Sequence, residues 1–203
     1  PEPGLESWSR APGPVMMPTP AGLAFRVFGM TDVGLVRDHN EDNFMIADLS
    51  LESGPLPSEQ VIPGTVSSRG IAFAVCDGMG GAAAGEVASQ IATDTFSERV
   101  GEGHSHAEAV LSAHAAIAQS AEAQQAQQGM GSTLVAMQIE AQHAGLVWVG
   151  DSRGYLWRDG RLSVVTHDHS YVQMLIDQGH LTDETARDHP KRNMVTQVLG
   201  LGE

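Results

Sequence analysis

The stretch that decides the fold is IAFAVCDGMGG, residues 71–81. Its first six residues form a continuous apolar run between a glycine and an aspartate, which is typical of a buried strand. At the edge of a core the carboxylate of Asp77 is costly without a partner, and a cation can compensate its charge. Gly78 allows close approach of the backbone to a ligand, and its carbonyl can bind a hard cation. We therefore predict a strand that ends at Asp77 beside a cation site, with an ordinary strand-to-helix turn as the alternative.

A second aspartate, Asp151, also closes an apolar strand, between Gly150 and Ser152. The repeated order of apolar strand, aspartate and small residue favours a shared acidic site over two unrelated turns. A third acidic stretch is RDHNED, residues 37–42, between two predicted strands. Taken alone, a charged run of this kind is typical of a solvated turn.

Outward from these stretches, the hydrophobic pattern predicts strands first, then two helices, then more strands. Helical spacing covers residues 83–100 and 105–128. Further strands are predicted at 25–31, 44–49, 133–139, 144–149, 154–158 and 161–166, the last two joined by the hairpin turn Asp159-Gly160. A short helix at 171–177 and a capped helix start at Thr182 follow. This order predicts an α+β fold with antiparallel sheets and helices on their outer faces.

Two stretches rich in proline and glycine lie outside this pattern. Residues 1–22 are predicted to form a flexible leader, and residues 23–203 a single domain. Residues 51–70 are predicted to form a surface loop between two strands.

Composition excludes several classes of function. The chain has 203 residues, 11 basic and 25 acidic, with a formal net charge of −14, so a general nucleic-acid or membrane-surface binder is disfavoured. No apolar run approaches the ~20 residues of a membrane helix. Its single cysteine, Cys76, cannot form an internal disulfide, so we expect a cytoplasmic protein.

A rival interpretation comes from residues 78–83, GMGGAA, which match the G-x-G-x-x-A dinucleotide fingerprint after a strand. Asp77 would place a negative charge beside the pyrophosphate, where the fingerprint relies on bare amides and a helix dipole. The fingerprint also requires a parallel strand soon after its helix, whereas two helices and then antiparallel strands are predicted here. Both observations disfavour a dinucleotide site.

Six motifs, in order, resemble the bacterial branch of the metal-dependent type 2C (PPM) serine/threonine phosphatases. They are RDHNED (37–42), VCDGMGGAAAGEVAS (75–89), GMGSTLVA (129–136), VGDSRGYLWRDGRL (149–162), THDHSYVQMLIDQG (166–179) and HPKRN (189–193). The resemblance covers residues 25–200. It implies two antiparallel sheets packed as a central sandwich, flanked by helices, with two Mn²⁺ or Mg²⁺ ions at one end and a small helical flap at 171–189.

The resemblance also implies a role for each matching residue. Asp77 would bridge both metals, Gly78 would offer its carbonyl to one of them, and Glu41 or Asp42 would hold metal-bound waters. Asp151 would contact waters of the centre and a third, weaker metal site. Arg37 would clamp the substrate phosphate. Because two metals activate water, Ser132, Ser152 and Cys76 are interpreted as a turn, a turn and a core residue instead of nucleophiles.

Two departures from the family pattern leave alternatives open. Met79 stands where the animal enzymes carry a histidine thought to protonate the leaving group, so the general acid is unassigned. His39 either takes that role or is an exposed loop histidine without one. Two further aspartates of the family would follow Gly200, and the chain stops at Glu203. We therefore expect a C-terminally incomplete catalytic domain that lacks the last core strands, a truncated copy of a full enzyme, with a natural half-domain as the alternative.

The leading hypothesis is hydrolysis of phosphoserine and phosphothreonine on proteins, with Asp77 and Arg37 as catalytic residues. The expected partners are phosphorylated proteins, including eukaryotic-like bacterial kinases, and we expect a monomer that binds neither nucleic acid nor membrane. The alternative is a pseudo-phosphatase that binds phosphoproteins through Arg37 without turning them over.

Overall fold

The computed structural model describes residues 22–51, 56, 59–80, 84–140 and 143–202. Its strands are β1 (Ala24–Val27), β2 (Asp42–Asp48), β3 (Ile62–Thr65), β4 (Ile71–Met79), β5 (Gly131–Ser132), β6 (Leu134–Ile139), β7 (Ala144–Val149), β8 (Tyr155–Arg158) and β9 (Arg161–Val164). Its helices are α1 (Ala84–Gly101), α2 (His106–Ala123), α3 (Tyr171–Asp177) and α4 (Asp183–Arg187). The predicted α+β class with antiparallel sheets is confirmed.

The main sheet has the antiparallel order β2-β4-β6-β7, and β5 pairs with the end of β4. Two further antiparallel pairs, β1 with β3 and β8 with β9, complete the strands of the described residues. The second pair is the hairpin that Asp159-Gly160 predicts. β4 is therefore an interior strand of the sheet, and the cation site predicted at its end is bordered by strands on both sides.

The core forms where α1 and α2 cover one face of the main sheet. On β4 the alternate residues Ala72, Ala74 and Cys76 are buried, as the two-residue period of a strand requires. On α1 every fourth residue from Ala88 to Phe96 is buried, and the Phe96 side chain has no exposed surface. Small residues on β4 let the helix approach closely, which places the start of α1 against the end of β4.

Helix α2 begins where its sequence predicts and ends earlier. Ser105 accepts a hydrogen bond from the Glu108 backbone, and the Glu108 carboxylate accepts one from the Ser105 backbone in return. The prediction of helix up to residue 128 is wrong, because Gln124 is extended and Gln125–Gln127 form a 3₁₀ turn. No large apolar side chain occurs in residues 124–128 to hold another helical turn against the core.

The predicted loop at 51–70 contains a strand, β3, that pairs with β1. The sequence pattern does not predict this strand, because it contains Pro63 and Gly64, and proline and glycine are unfavourable in strand interiors. Pro63 is tolerated because the pair has only two strands, so its missing N–H faces an edge. A second, smaller apolar cluster around Ile46, Val66 and Ile71 supports the pair.

Two strands extend beyond their predicted bounds, into the acidic stretches. β4 continues to Met79, so the prediction that it ends at Asp77 is wrong, and β2 begins at Asp42. The cause is pairing on both sides, because Asp42 lies opposite Asp77, and Gly78 lies opposite Ser132. These residues are therefore fixed on strand ends.

The predicted leader at 1–22 falls outside the described residues except for Gly22. Among the described helices, none combines the length and the apolar character needed to cross a membrane.

Candidate functional site

Four acidic residues converge at the end of β4, and we call Glu41, Asp42, Asp77 and Asp151 the acidic cluster. Asp42 and Asp77 face each other across β2 and β4, where opposed Cβ atoms lie about 4.5–5.5 Å apart. Partial withdrawal from water, then the charges of Asp42 and Asp151, a hydrogen bond with Asp42 and the charge of Glu41 raise the pKa of Asp77 to about 6. Three separate stretches of sequence thus meet in one electrostatic site.

Asp151 reaches the cluster on the turn that follows β7. Gly150 has φ of +103°, and a Cβ on it would lie 2.6 Å from Cγ2 of Thr133, so a side chain there would separate the turn from β6. Partial burial and the charge of Asp168 raise the pKa of Asp151, although a backbone hydrogen bond lowers it.

Arg153 donates three hydrogen bonds to the Asp168 carboxylate, of 2.8 and 3.0 Å from Nε and 2.5 Å from Nη2. This ion pair fixes the segment beside Asp151, and the sequence reasoning missed it.

Thr133 connects the end of β4, which carries Asp77, with the turn that carries Asp151. Its Oγ1 accepts a hydrogen bond of 3.0 Å from the Asp77 backbone N–H, and its own N–H donates to the Asp77 carbonyl at 2.9 Å. The same Oγ1 lies 2.7 Å from Oγ of Ser152, next to Asp151. Thr133 is completely buried, so these bonds have no competition from water. The hydroxyl therefore links the Asp77 backbone in β4 to the Asp151 turn.

Ser132 also contacts this site, which corrects its interpretation as a turn residue. It lies in β5, is completely buried and donates a hydrogen bond of 3.2 Å to the Asp77 carbonyl. Its backbone exchanges hydrogen bonds with Leu199, 67 positions further along by residue number, at 3.1 and 2.8 Å. Cys76 is buried in the core, as predicted.

We expect Thr133→Val to disturb the site more than Thr133→Ser. Valine keeps the shape and leaves the Asp77 N–H and the Ser152 hydroxyl without their buried partner, which costs about 1–3 kcal/mol. Serine retains the hydroxyl and loses one methyl group. Chemical denaturation should show the larger loss of stability in the valine variant, and calorimetry should show weaker Mn²⁺ binding in it. Equal Mn²⁺ affinity in both variants would contradict the role of the hydroxyl.

Glu41 and Gly78 lie against the start of α1. The Gly78 N–H donates to the Glu41 carbonyl at 3.1 Å, which ties the strand end to the acidic loop. A Cβ on Gly85 would lie 2.7 Å from Oε1 of Glu41 and 2.9 Å from the Gly78 carbonyl oxygen. Glycine at position 85 therefore gives both oxygens room at the helix start.

Arg37 stands at the rim of the acidic cluster. Its Nη1 donates to Oε2 of Glu41 at 3.3 Å, and 72% of its side chain is exposed. His39 is also partly exposed, with Nε2 3.6 Å from Oε1 of Glu41. A guanidinium that is exposed and tethered on one side can still receive an anion on the other.

A cavity of about 790 Å³ lies elsewhere, beside β7 and the start of α2. Its lining includes Arg69, His106 and Trp148 and no member of the acidic cluster. The acidic cluster therefore lies apart from this cavity, on an open, charged surface at the strand ends.

Comparison with known proteins decides the family. The profile of the family described as protein phosphatase 2C matches residues 64–199 of the chain. The chain belongs to the protein phosphatase 2C family. The family matches the resemblance drawn from the six motifs, and it disfavours the dinucleotide-binding interpretation.

Individual 2C phosphatases agree with this family. The serine/threonine protein phosphatase PstP of Mycobacterium tuberculosis is 37% identical over 183 residues, covering 87% of this chain and 31% of PstP. The crystal structure of Stp1 from Staphylococcus aureus has a TM-score of 0.70 and 29% identity over 94% of this chain and 70% of that one. The PstP catalytic domain in complex with two manganese ions has a TM-score of 0.62 and 31% identity over 92% of this chain and 68% of that one. The chain thus spans about a third of the length of PstP.

The acidic cluster of this member of the 2C family fits hard divalent cations in chemistry and in charge. Its donors are carboxylate oxygens with a neighbouring carbonyl, which Mg²⁺ and Mn²⁺ prefer. Partial burial and then repulsion from the neighbouring carboxylates raise the pKa of Asp77, and a bound cation offsets both effects. Within the described residues, no three His, Cys, Asp or Glu side chains enclose an ion by themselves. An ion at the cluster would therefore need water or other donors besides these side chains, as is usual for Mg²⁺.

Proposed function

We propose that this protein hydrolyses phosphoserine and phosphothreonine on other proteins with a divalent-metal centre at the acidic cluster. The observation that supports this most is the convergence of Asp42, Asp77 and Asp151 at the end of β4, with a pKa of about 6 for Asp77. A cluster that repels itself at neutral pH is a poor structural element and a good cation site.

In this proposal each residue has a separate task. Asp77 and Gly78 would hold divalent ions through a carboxylate and a carbonyl oxygen. Glu41 or Asp42 would hold metal-bound waters, and Asp151 would contact waters of the centre and a third, weaker metal site. Bound Mn²⁺ or Mg²⁺ supplies an acidified water and neutralises the phosphoryl oxygens. His39, 3.6 Å from Glu41, is an open candidate for moving the leaving-group proton.

Arg37 is proposed to hold the substrate phosphate at the rim. Its planar guanidinium can offer two parallel donors, which a lysine cannot. Its present bond to Glu41 uses Nη1, and the exposed remainder of the group faces solvent. The Arg37 guanidinium is therefore oriented before substrate binds, which reduces the side-chain entropy that Arg37 loses on binding.

We expect Arg37→Ala to lower kcat/KM for a phosphothreonine peptide by about a hundredfold, because charge-assisted bonds to phosphate contribute about 1.5–3 kcal/mol. Arg37→Lys should restore only part of it. The control Arg158→Ala removes an exposed arginine from the β8–β9 hairpin and should change nothing. Steady-state kinetics with Mn²⁺ measure all three. Unchanged kcat/KM in Arg37→Ala would exclude the clamp.

The proposed partners are phosphorylated proteins, including bacterial serine/threonine kinases of the eukaryotic type. PstP and Stp1 are named serine/threonine phosphatases, which supports this class of substrate. The net charge of −14 disfavours nucleic acid as an alternative partner.

A second candidate function is phosphoprotein binding without turnover. It is favoured by one observation, that no three donors among the described residues enclose an ion by themselves. Retention of a phosphothreonine peptide with no phosphate release in Mn²⁺ would select this function. Release of phosphate would exclude it.

A further inference from the structure

His169 binds the backbone of the glycine that precedes Asp151, and the proposed function gives it no task. Its ring Nδ1 accepts a hydrogen bond of 3.2 Å from the Gly150 N–H, and its own N–H donates to the Gly150 carbonyl at 2.9 Å. Gly150 is buried, so water does not compete for these two groups. A single residue therefore satisfies both polar groups of the Gly150 backbone.

The ring can accept this hydrogen bond in only one form. A backbone N–H is always the donor, so Nδ1 carries no proton, and the ring is neutral with its proton on Nε2. Burial and the charge of His167 lower the pKa of His169, although the charge of Asp168 raises it. The neutral ring that the bond requires is therefore favoured.

The end of β7 orients the His169 ring independently of Gly150. The ring stacks on the Trp148 ring, with centroids 6.5 Å apart and planes 20° from parallel. Nε1 of Trp148 also donates a hydrogen bond of 2.8 Å to the His167 carbonyl. Nδ1 is therefore directed at Gly150 by contacts on either side of it in the chain.

The direction of Asp151 depends on how the Gly150 backbone is held. Glycine has the widest range of backbone conformations, so external contacts must select one of them. Gly150 adopts a φ of +103°, and Thr133 lies against the position that a Cβ would occupy. The two hydrogen bonds to His169 restrict the freedom that remains. Asp151 is thereby kept where its charge acts on Asp77.

We infer that His169 is a positioning residue, which fixes the Gly150–Asp151 turn through Nδ1 and so places the Asp151 carboxylate in the acidic cluster. The inference deepens the proposed function and rests on it, because that function assigns Asp151 to the metal centre. Groups that orient a metal-binding side chain commonly change metal affinity ten- to a hundredfold when they are removed. We therefore expect His169 to affect Mn²⁺ binding without contacting the ion.

Two substitutions of nearly the same shape separate the acceptor from the ring. His169→Asn places Oδ1 where Nδ1 stands and keeps an acceptor, whereas His169→Leu puts a methyl group there. Both variants lose the stack on Trp148, so any difference between them comes from the hydrogen bond to Gly150. Asp151→Asn is the reference for loss of the carboxylate charge.

His106→Leu is the matched control. The His106 ring also stacks on an aromatic ring, that of Phe96, and its Nε2 lies 2.8 Å from Oε1 of Gln138. Gln138 pairs with Gly145, at the other end of the β6–β7 pair from Val149 and the Asp151 turn. Loss of the His106 ring should therefore affect stability and leave Mn²⁺ binding unchanged.

The first measurement is calorimetric titration of Mn²⁺ into the full-length gene product without substrate. His169→Leu should lower by about ten- to a hundredfold the Mn²⁺ affinity that Asp151→Asn also lowers. His169→Asn and His106→Leu should bind Mn²⁺ nearly as the unaltered protein does. The double variant His169→Leu, Asp151→Asn should bind no more weakly than Asp151→Asn alone, because both changes act on one carboxylate. Equal weakening by leucine and asparagine, none by leucine, or additive losses overturns the inference.

The second measurement is amide hydrogen exchange of the same variants in EDTA. The Gly150 and Asp151 amides should exchange up to about tenfold faster in His169→Leu than in His169→Asn, the factor that corresponds to one hydrogen bond. Equal exchange in the two variants overturns the inference. If His169→Leu does not fold, His169→Ala takes its place in both measurements, since alanine also lacks the acceptor.

The two measurements also separate this inference from the proposed function. A protein that binds no Mn²⁺, or that binds Mn²⁺ and releases no phosphate from a phosphothreonine peptide, contradicts the proposed function. In the first case hydrogen exchange decides the inference, and in the second case Mn²⁺ affinity and hydrogen exchange decide it together.

Discussion

Asp77→Asn is expected to abolish Mn²⁺-dependent hydrolysis, with kcat/KM lowered at least about a thousandfold. The amide keeps the size of the side chain and removes the charge on which the proposed bridge between two ions depends. Loss of the several kcal/mol that a metal centre contributes to transition-state stabilisation corresponds to this factor. Phosphate release from a phosphothreonine peptide measures it. Activity within tenfold of the unaltered protein would remove Asp77 from the mechanism.

The same substitution should stabilise the metal-free protein at neutral pH. The pKa of Asp77 is raised from 3.8 to about 6, so the folded state binds its proton more tightly than the unfolded state does. Its contribution to stability is therefore fully present below pH 3.8 and is lost as the pH rises through about 6. Asparagine carries no charge at neutral pH, so Asp77→Asn avoids this loss of stability. Because solvent screens an exposed side chain, we expect the free energy of unfolding to rise by about 1 kcal/mol.

Thermal unfolding in EDTA at pH 4 and pH 7.5 measures this gain. The Tm of Asp77→Asn should exceed that of the unaltered protein at pH 7.5, and the difference should shrink at pH 4. Glu122→Gln, on α2, is the matched control and should show no such change between the two pH values. A destabilised Asp77→Asn variant at pH 7.5 would mean that the carboxylate is part of a stabilising contact.

Gly78→Ala is expected to disrupt both the fold and the site. A Cβ there would lie 1.9 Å from the Gly85 carbonyl oxygen and 2.7 Å from the Glu41 carbonyl oxygen, and both belong to backbone. Either the start of α1 or the start of β2 must move, which costs about 3 kcal/mol. The proposed carbonyl ligand moves with it, so Mn²⁺ affinity should also fall.

Gly101→Ala is the control, because a Cβ at Gly101 meets no atom within 4 Å. That variant should be neutral or slightly stabilised, since alanine has lower unfolded-state entropy than glycine. Urea denaturation gives both free energies of unfolding. If the two variants have equal stability, the contact between β4 and α1 is looser than the structure shows.

The elements with strong local patterns could be predicted from the sequence. β4 is a continuous apolar run, α1 buries every fourth residue, and Asp159-Gly160 marks the hairpin, so each pattern has one dominant interpretation. β3 could not be predicted, because Pro63 and Gly64 are unfavourable in strands and only pairing with β1 stabilises them. The residues of a short segment indicate only its own conformational preference, whereas β3 forms because it pairs with β1, which is distant in sequence.

The acidic residues of the candidate site could also be predicted, whereas the buried residues that hydrogen-bond to their backbone could not. Asp77 and Asp151 each follow an apolar run, which is visible in the sequence. Thr133 lies 56 positions from Asp77, and its hydroxyl becomes a site component only when β5 and β6 pair beside β4. The one local signal is a small polar pair, Ser132 and Thr133, ahead of an apolar strand.

Calorimetric titration of Mn²⁺ into the full-length gene product, beside its Asp77→Asn variant, tests the central claim most directly. Phosphate release is followed in the same samples. We expect two ions per unaltered molecule, phosphate release that EDTA abolishes, and no tight Mn²⁺ binding by Asp77→Asn. Equal Mn²⁺ binding by both proteins, or hydrolysis that persists in EDTA, would contradict it.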